Sequence, residues 1–215
     1  PTAAGLASSA SGAAALAAAT ARCAGLHVTP GQLSAIARLG SGSGSRSIFG
    51  GWAAWDGPEA RPVFPESHWD VVIVVALVSK ARKSISSRQA MRQTAATSPL
   101  YGPWVATAQD AFDEAVRALT ARDLEALIAA MEISTMRMHA SAMGAAPPIL
   151  YWKPASLAVV EAVHGLRASG TLCGWTMDAG PNVKVLCRAS DAPTVSTALA
   201  EVEGVLSTIT CRPGP

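Results

Sequence analysis

The chain has 215 residues, of which half are apolar and 15% are charged, and its formal net charge is +2. This composition excludes a disordered chain, and so small a charge, without a basic stripe among aromatic residues, excludes a general nucleic-acid binder. The longest strongly apolar run, residues 71–78, is too short to span a bilayer and predicts a buried strand.

The cysteines and histidines give no pattern typical of a metal site. The four cysteines form no CxxC pair, so we expect reduced and mostly buried thiols in a cytoplasmic protein. The four histidines are equally scattered, and none of their pairs has the spacing of metal ligands.

The first part of the chain predicts two helices, a glycine-serine segment and a strand, at residues 8–24, 29–40, 40–47 and 48–55. Alanine dominates the first helix and favours helical structure. The second helix has the clearest start, because Thr29 can cap it, Pro30 suits its first position and Gln32 completes a capping box. Residues 58–69, rich in proline and charge, are predicted to be a linker.

The rest of the chain mixes strands and helices. The predicted strands lie at residues 70–79, 172–177, 182–187 and 205–211, and the predicted helices at 86–94, 103–119, 123–143, 154–169 and 191–203. Without the additional helices the order is β-α-β-β-α-β, a split ferredoxin-like arrangement. We therefore predict an α+β protein with a first domain at 1–57 and a second at 70–215.

The segment GLASSASG, residues 5–12, can bind an anion. A loop of small residues that runs into a helix directs backbone N–H groups and the positive end of the helix dipole at one point, which suits phosphate. The hydroxyls of Ser8, Ser9 and Ser11 can contact phosphate oxygens or a magnesium ion. The sequence is not the common P-loop, and a helix start packed tightly on a neighbour remains an alternative.

The segment GSGSGSRS, residues 40–47, has two interpretations. Glycine-serine repeats are usually flexible linkers. However, Ser41, Ser43 and Arg46 together would suit a small dianion or a carboxylate, which Arg46 can bind through two hydrogen bonds.

The segment TMDAGPN, residues 176–182, places Asp178 in a tight turn after a strand. A carboxylate in this position can act as a general base or stabilise a positive charge. The alternative is a hairpin turn in which Asp178 only bonds its own backbone.

These segments occur in one order with SSRQAM, TSPLY, MHAS and PPILY, at residues 86–91, 97–101, 138–141 and 147–151. The series resembles the mevalonate diphosphate decarboxylase family, a branch of the GHMP kinase superfamily, from residue 1 to about residue 187. SSRQAM is more similar to the bacterial branch than to the animal or fungal one.

The resemblance implies a GHMP kinase-like fold of two domains: a partial N-terminal ATP-binding domain and a ferredoxin-like C-terminal domain. It implies an ATP-dependent carboxy-lyase of the mevalonate pathway, which converts (R)-5-diphosphomevalonate to isopentenyl diphosphate, carbon dioxide, ADP and phosphate. ATP and Mg²⁺ would be the cofactors, and the enzyme would be a cytoplasmic homodimer without nucleic-acid or membrane partners. The alternatives are a phosphomevalonate decarboxylase, a mevalonate 3-kinase, or a non-catalytic anion-binding homologue or inactive fragment.

The resemblance also assigns roles to individual residues. The residues that it places at the ATP phosphates are Gly5, Leu6, Ala7, Ser8, Ser9, Ala10, Ser11 and Gly12, with Ser8 or Ser9 near magnesium. The residues that it places at the substrate are Ser41, Gly42, Ser43, Gly44, Ser45, Arg46, Arg88 and Met91. Ser43, Arg46 and Asp178 would form the catalytic set: Arg46 would bind the substrate carboxylate, and Asp178 would lie beside the C3 hydroxyl. Arg88 and Met91 would lie at the substrate diphosphate.

The chain departs from the family pattern at several points. The family has an upstream segment with a lysine-containing motif, so we expect this chain to be truncated at its N-terminus and its first domain to be the less stable one. Ala13 stands where an aromatic residue is usual, and Gly44 where alanine or another small residue is usual. For His139 we predict a packing or hydrogen-bonding role rather than a catalytic one.

Overall fold

The structure is a computed structural model and describes residues 8–81 and 85–214. These residues divide into two compact units, one of residues 8–70 with 212–214 and one of residues 71–211. No helix within the described ranges is long and apolar enough to cross a membrane.

The first unit contains two α-helices, two 3₁₀ helices and a two-stranded antiparallel sheet. Its elements are α1 (Ser8–Cys23), α2 (Pro30–Gly40), a 3₁₀ helix (Gly42–Ile48), β1 (Trp52–Ala54), β2 (Arg61–Phe64) and a short 3₁₀ helix (Glu66–His68). Thr29 and Gln32 form the predicted capping box at the start of α2. The predicted strand at 48–55 is confirmed only for the three residues of β1.

The linker predicted at residues 58–69 is wrong for its central part, because these residues form β2 and pair with β1. Val63 and Phe64 favour a strand, and the chain tolerates Pro62 because a two-stranded sheet has only edge strands. The proline-rich composition alone did not indicate this pairing.

Close packing of small side chains holds the first unit together. The buried face of α1 consists of alanines at helical spacing: Ala10, Ala14, Ala17 and Ala21. Ser34 on α2 is fully buried, where its hydroxyl accepts a hydrogen bond from Ala60 N at 2.9 Å and donates one to Ser45 O at 2.9 Å. This single hydroxyl therefore joins α2 to the residues before β2 and to the first 3₁₀ helix.

The second unit contains a four-stranded sheet and six α-helices within the described residues. Its elements are β3 (Val71–Leu77), α3 (Ser87–Thr97), α4 (Tyr101–Ala106), α5 (Ala108–Ala121), α6 (Leu124–Met143), α7 (Pro154–Ala168), β4 (Cys173–Met177), β5 (Val183–Arg188), a 3₁₀ turn (Ala189–Asp191), α8 (Ala192–Ala200) and β6 (Ser207–Cys211). The strand order is β4-β5-β3-β6 with every pair antiparallel, which is the predicted ferredoxin-like topology.

The helix predicted at 103–119 is two helices, α4 and α5, which meet at Thr107. The hydroxyl of Thr107 lies 3.3 Å from Pro103 O and 3.1 Å from Trp104 O, where it competes with the backbone for these acceptors.

The core of the second unit lies against one face of the sheet. Val74, Val185 and Cys173 belong to a buried cluster that α7 and α8 complete with Val159, Val163, Val195 and Leu199.

Cys173 and Cys187 are buried, whereas Cys23 and Cys211 are exposed, so the prediction of mostly buried thiols holds for only two of the four.

Candidate functional site

The start of α1 carries the described part of the predicted phosphate-binding segment. The described part of the helix runs from Ser8 to Cys23, so Ser8, Ser9, Ala10, Ser11 and Gly12 lie in its first described turns. The side chain of Ala10 is buried, whereas Ser9, Ser11 and Gly12 are exposed. The Ser11 hydroxyl donates a 3.4 Å hydrogen bond to Ser8 O. Gly5, Leu6 and Ala7 lie outside the described residues.

The glycine-serine segment is not a flexible linker, because it folds into the 3₁₀ helix Gly42–Ile48 against α1 and α2. A Cβ atom on Gly44 would come within 3.1 Å of Ala13 Cβ and 3.3 Å of Ala10 O. The first unit therefore brings two of the predicted binding segments into contact.

Two residues of the predicted substrate set are packing residues in the structure. Ser45 is fully buried, and its hydroxyl donates a 2.7 Å hydrogen bond to Gly42 O. Gly44 is buried between α1 and α2. Burial limits the access of a ligand to both residues, and their assignment to the substrate stays a prediction.

Ser41, Ser43 and Arg46 lie around one turn of this 3₁₀ helix. The hydroxyl oxygens of Ser41 and Ser43 are 3.4 Å apart, and both residues are half-buried. Arg46 is exposed, and its guanidinium carbon lies 5.8 Å from the centre of the Trp55 ring, within the range of a cation–π interaction. Gly42 allows this arrangement, because a Cβ atom there would lie 2.9 Å from the Trp55 ring.

In the second unit, the start of α3 carries Arg88 and Met91. Ser86 caps this helix by accepting a hydrogen bond from Gln89 N at 3.2 Å. Met91 is 41% exposed and lines a pocket of about 50 Å³ together with Ala179. The other residues that line this mainly apolar pocket include Ala90, Trp104, Met138 and Tyr151. Met91 and Ala179, the residue after Asp178, therefore line the same pocket.

Asp178 occupies the first position after β4, in the hairpin that the Met177–Val183 pair closes. Its carboxylate Oδ2 accepts a 2.6 Å hydrogen bond from Nζ of Lys184 on β5. The backbone of the turn is closed separately, by Gly180 N donating to Asp178 O at 2.7 Å. The side chain of Asp178 therefore bonds a lysine rather than its own backbone.

Three buried or half-buried side chains hold the hairpin of Asp178. His139 Nε2 lies 3.3 Å from Met177 O, and the Ser156 hydroxyl donates to Pro181 O at 2.7 Å. The Asn182 amide oxygen accepts from the backbone N–H groups of the two residues that follow β3, at 2.8 and 3.0 Å. The Asp178 turn is consequently anchored to α6, α7 and β3.

His139 has the packing and hydrogen-bonding role that we predicted. It is 1% exposed and makes edge-on ring contacts with Tyr151 and Trp152. Burial lowers the pKa of its imidazole from the usual 6.5. The neutral ring, with its proton on Nε2, can donate to Met177 O.

Sequence reasoning missed two residues that contact the predicted set, Trp55 and Lys184. Lys184 is the one charged residue inside the apolar run 183–187. A charge in such a strand could have indicated that Lys184 makes a specific contact. Nothing in the sequence indicated that Trp55 would reach Arg46. No three His, Cys, Asp or Glu side chains of residues 8–81 and 85–214 lie close enough together to hold a metal ion.

Two family models match the chain. The model of the mevalonate 5-diphosphate decarboxylase C-terminal domain matches residues 72–211. The model of the diphosphomevalonate decarboxylase-like N-terminal domain matches residues 1–61. The chain belongs to the mevalonate diphosphate decarboxylase family. The first match covers nearly the whole second unit, including Asp178, and the second covers Arg46 and the start of α1.

Individual relatives agree with this assignment. Diphosphomevalonate decarboxylase mvd1 of Aspergillus fumigatus is 37% identical over 216 residues, which cover 95% of this chain and 54% of that protein. The human diphosphomevalonate decarboxylase is 38% identical over 199 residues, which cover 86% of this chain and 48% of that protein. The chain thus spans about half the length of the curated relatives that it matches.

Solved structures show the same fold. The structure of MDDEF in complex with MVAPP, AMPPCP and magnesium is 38% identical, with a TM-score of 0.91 and coverage of 100% of this chain and 68% of that one. Mevalonate diphosphate decarboxylase from Staphylococcus aureus is 35% identical, with a TM-score of 0.91 and the same coverage. These matches confirm the predicted α+β, GHMP kinase-like fold. The similarity to the bacterial branch stays a prediction, because this chain is about equally identical to the human protein, at 38%, and to the Staphylococcus aureus protein, at 35%.

Proposed function

We propose that the protein containing this chain catalyses the ATP-dependent decarboxylation of (R)-5-diphosphomevalonate to isopentenyl diphosphate, with release of ADP, phosphate and carbon dioxide. The observation that carries the proposal is Asp178, an exposed carboxylate on a hairpin that is anchored on several sides, in a chain of this family. The domain roles are part of the proposal: the first unit would belong to the ATP-binding domain, and the second would be the C-terminal domain.

Asp178 would act on the C3 hydroxyl of the substrate. An ionised carboxylate within hydrogen-bond reach of this hydroxyl can accept its proton as the oxygen attacks the γ-phosphate. When phosphate leaves, positive charge develops at C3, and the same carboxylate can stabilise it. Both roles need a carboxylate held in one place, and the anchored hairpin supports this.

Arg46, with Ser41 and Ser43, would bind the substrate carboxylate. A guanidinium forms two parallel hydrogen bonds with a carboxylate, and neighbouring hydroxyls can satisfy its remaining lone pairs. The position of these three side chains on one 3₁₀ turn supports a joint role. In the second unit, Arg88 and Met91 would lie at the substrate diphosphate, where the charge of Arg88 offsets that of the phosphates.

The start of α1 would bind the phosphates of ATP, which supplies the phosphoryl group that makes the C3 oxygen a leaving group. The first N–H groups of a helix have no partner within the helix and attract anions. The hydroxyls of Ser8 and Ser9 are hard oxygen ligands that fit Mg²⁺, which keeps most of its contacts to phosphates and water.

The resemblance also implies a homodimer in the cytoplasm, and we include both in the proposal. Light scattering of the purified protein tests the homodimer. Twice the protomer mass would support the dimer, and the protomer mass alone would contradict it.

The variant Asp178→Asn tests the assignment of the catalytic carboxylate. The amide keeps the size of the side chain but cannot accept a proton, so we expect kcat for carbon dioxide release to fall by about 10²–10⁴. The affinity for 5-diphosphomevalonate, measured by calorimetry, should change little.

Asp70→Asn is the matched control for this experiment. Asp70 is also an exposed aspartate at a strand end, with an ion pair to Arg212 at 2.8 Å. We expect this variant to keep full activity. Unchanged turnover in Asp178→Asn would contradict the role of Asp178, as would an equal loss in both variants.

A further inference from the structure

Lys184 forms an ion pair with Asp178 in which the two side chains differ greatly in exposure. The Lys184 side chain is 13% exposed, whereas that of Asp178 is 67% exposed, and Nζ lies 2.6 Å from Oδ2. An ordinary surface ion pair joins two exposed and mobile side chains and contributes little to stability. Here the lysine is the enclosed partner.

The sheet fixes the position of Lys184. On β5 it pairs with Thr176 of β4 and with Val75 of β3, so a strand lies on each side of it. The hydroxyl of Thr176 in turn bonds the hydroxyl of Thr135 on α6, at 2.8 Å. A lysine stem enclosed in this way loses most of its rotamers, and its ammonium group becomes a fixed point.

The position of the Asp178 carboxylate depends on the ammonium group of Lys184, because the side chain of Asp178 lies in the turn that follows β4. Among the described residues, Oδ2 bonds Lys184 and Oδ1 makes no hydrogen bond. A carboxylate held through one oxygen presents the other in a defined direction, which is the condition for accepting a proton from a bound hydroxyl.

We propose that Lys184 is a positioning residue that acts through Asp178: its ammonium group holds Oδ2 so that Oδ1 faces the C3 hydroxyl of the substrate. This inference rests on the proposed function. It places Lys184 in contact with the carboxylate and not with the substrate, so its loss should affect turnover rather than substrate binding.

The test compares Lys184→Met and Lys184→Arg in the complete protein. Methionine keeps an unbranched apolar stem and removes the charge, so we expect kcat to fall by about tenfold to a hundredfold, the range for a misplaced catalytic group. The KM for 5-diphosphomevalonate should stay within about threefold of its original value. Arginine retains the charge and should restore most of the activity.

Lys153→Met serves as the control, because Lys153 is exposed and its ammonium group, among the described residues, bonds the hydroxyl of Ser79 at 3.1 Å rather than a carboxylate. This variant should keep full turnover. A rise in KM without a loss of kcat in Lys184→Met would overturn the proposal, because Lys184 would then bind the substrate directly. Failure of Lys184→Arg to restore activity would overturn it as well.

The double variant Asp178→Asn/Lys184→Met tests whether the lysine acts through the aspartate. If it does, Lys184→Met lowers kcat no further once Asp178 has been replaced. Additive losses would overturn the proposal.

A measurement without substrate separates this inference from the proposed function. NMR coupling constants of the Asp178 side chain should report one χ1 rotamer in the original protein and an average of rotamers in Lys184→Met. An unchanged rotamer in that variant would overturn the positioning role, whether or not the protein releases carbon dioxide.

Discussion

At the scale of single residues, the carboxylate of Asp178 accepts a hydrogen bond from Lys184 on the following strand. The sequence singled out Asp178 in a turn after a strand and Arg46 among hydroxyls, but the resemblance supplied their roles, which stay predictions. Lys184 was not singled out despite the signal of a charge in an apolar strand, because its contact with Asp178 depends on the register of β4 and β5. Trp55 was not singled out either, because its contact with Arg46 depends on the path of the chain between them. The sequence did not show that the hydroxyl of Ser45 would bond Gly42 O, and the placement of Ser45 at the substrate stays a prediction.

His139 should make the stability of the second unit depend on pH. Burial lowers its pKa in the folded state, so below about pH 6.5 the unfolded chain binds a proton that the folded chain does not. The free energy of unfolding should therefore fall as the pH falls, by at most about 1.4 kcal/mol per pH unit. In His139→Gln, which keeps an N–H donor but does not titrate, this contribution should disappear.

Urea unfolding between pH 7.5 and 5 measures the effect, and His164→Gln is the control because His164 is exposed on α7. The control should keep the pH dependence of the original protein. If His139→Gln keeps it as well, the buried imidazole is not its source.

At the scale of elements, α6 covers the edge strand β4 through side chains spaced along one helix face. Glu132 Oε1 accepts a hydrogen bond from Trp175 N at 3.1 Å and is held by an ion pair with Arg167. The sequence predicted α6 well, but not which face packs, because apolar residues occur all around this helix. Ile128 of α6 packs closely on Gly174 of β4, where there is no room for a Cβ atom.

Gly174→Ala should disturb the contact between α6 and β4. A Cβ atom at this position would lie 2.3 Å from Ile128 Cγ2, so we expect a loss of about 1–3 kcal/mol of stability from overpacking. Denaturant unfolding measures it.

Gly165→Ala is the matched control, because a Cβ atom there has no neighbour within 4 Å in the middle of α7. This variant should gain about 0.4–1 kcal/mol through reduced freedom of the unfolded chain. Equal effects of the two substitutions would show that α6 does not pack against β4 as described.

At the scale of the whole chain, the two units differ in the kind of core that they contain. Every buried apolar side chain among the described residues of the first unit is an alanine, whereas the second unit buries valines, leucines, Trp175 and Met177. Leu16 and Leu39 are 68% and 80% exposed in the first unit. The order of strands and helices was sufficient to predict the topology of the second unit, but β2 was missed because pairing partners cannot be inferred from composition.

The second unit should therefore be the more stable one. Burial of small side chains removes little apolar surface from water, so α1 and α2 should open more easily than the sheet. In native-state hydrogen exchange we expect amides of β3 and β5 to be protected at least about a hundredfold more than those of α1 and α2. Equal protection of both sets would contradict this difference.

The most direct test of the proposed function measures carbon dioxide and ADP together, from the complete protein with magnesium-ATP and 5-diphosphomevalonate. The proposal predicts equal amounts of the two products, because each phosphorylation of the C3 hydroxyl leads to one decarboxylation. ADP without carbon dioxide would indicate a kinase that stops at the C3 phosphate and would contradict the decarboxylase assignment. If neither product formed, that result would contradict an enzymatic role at this site.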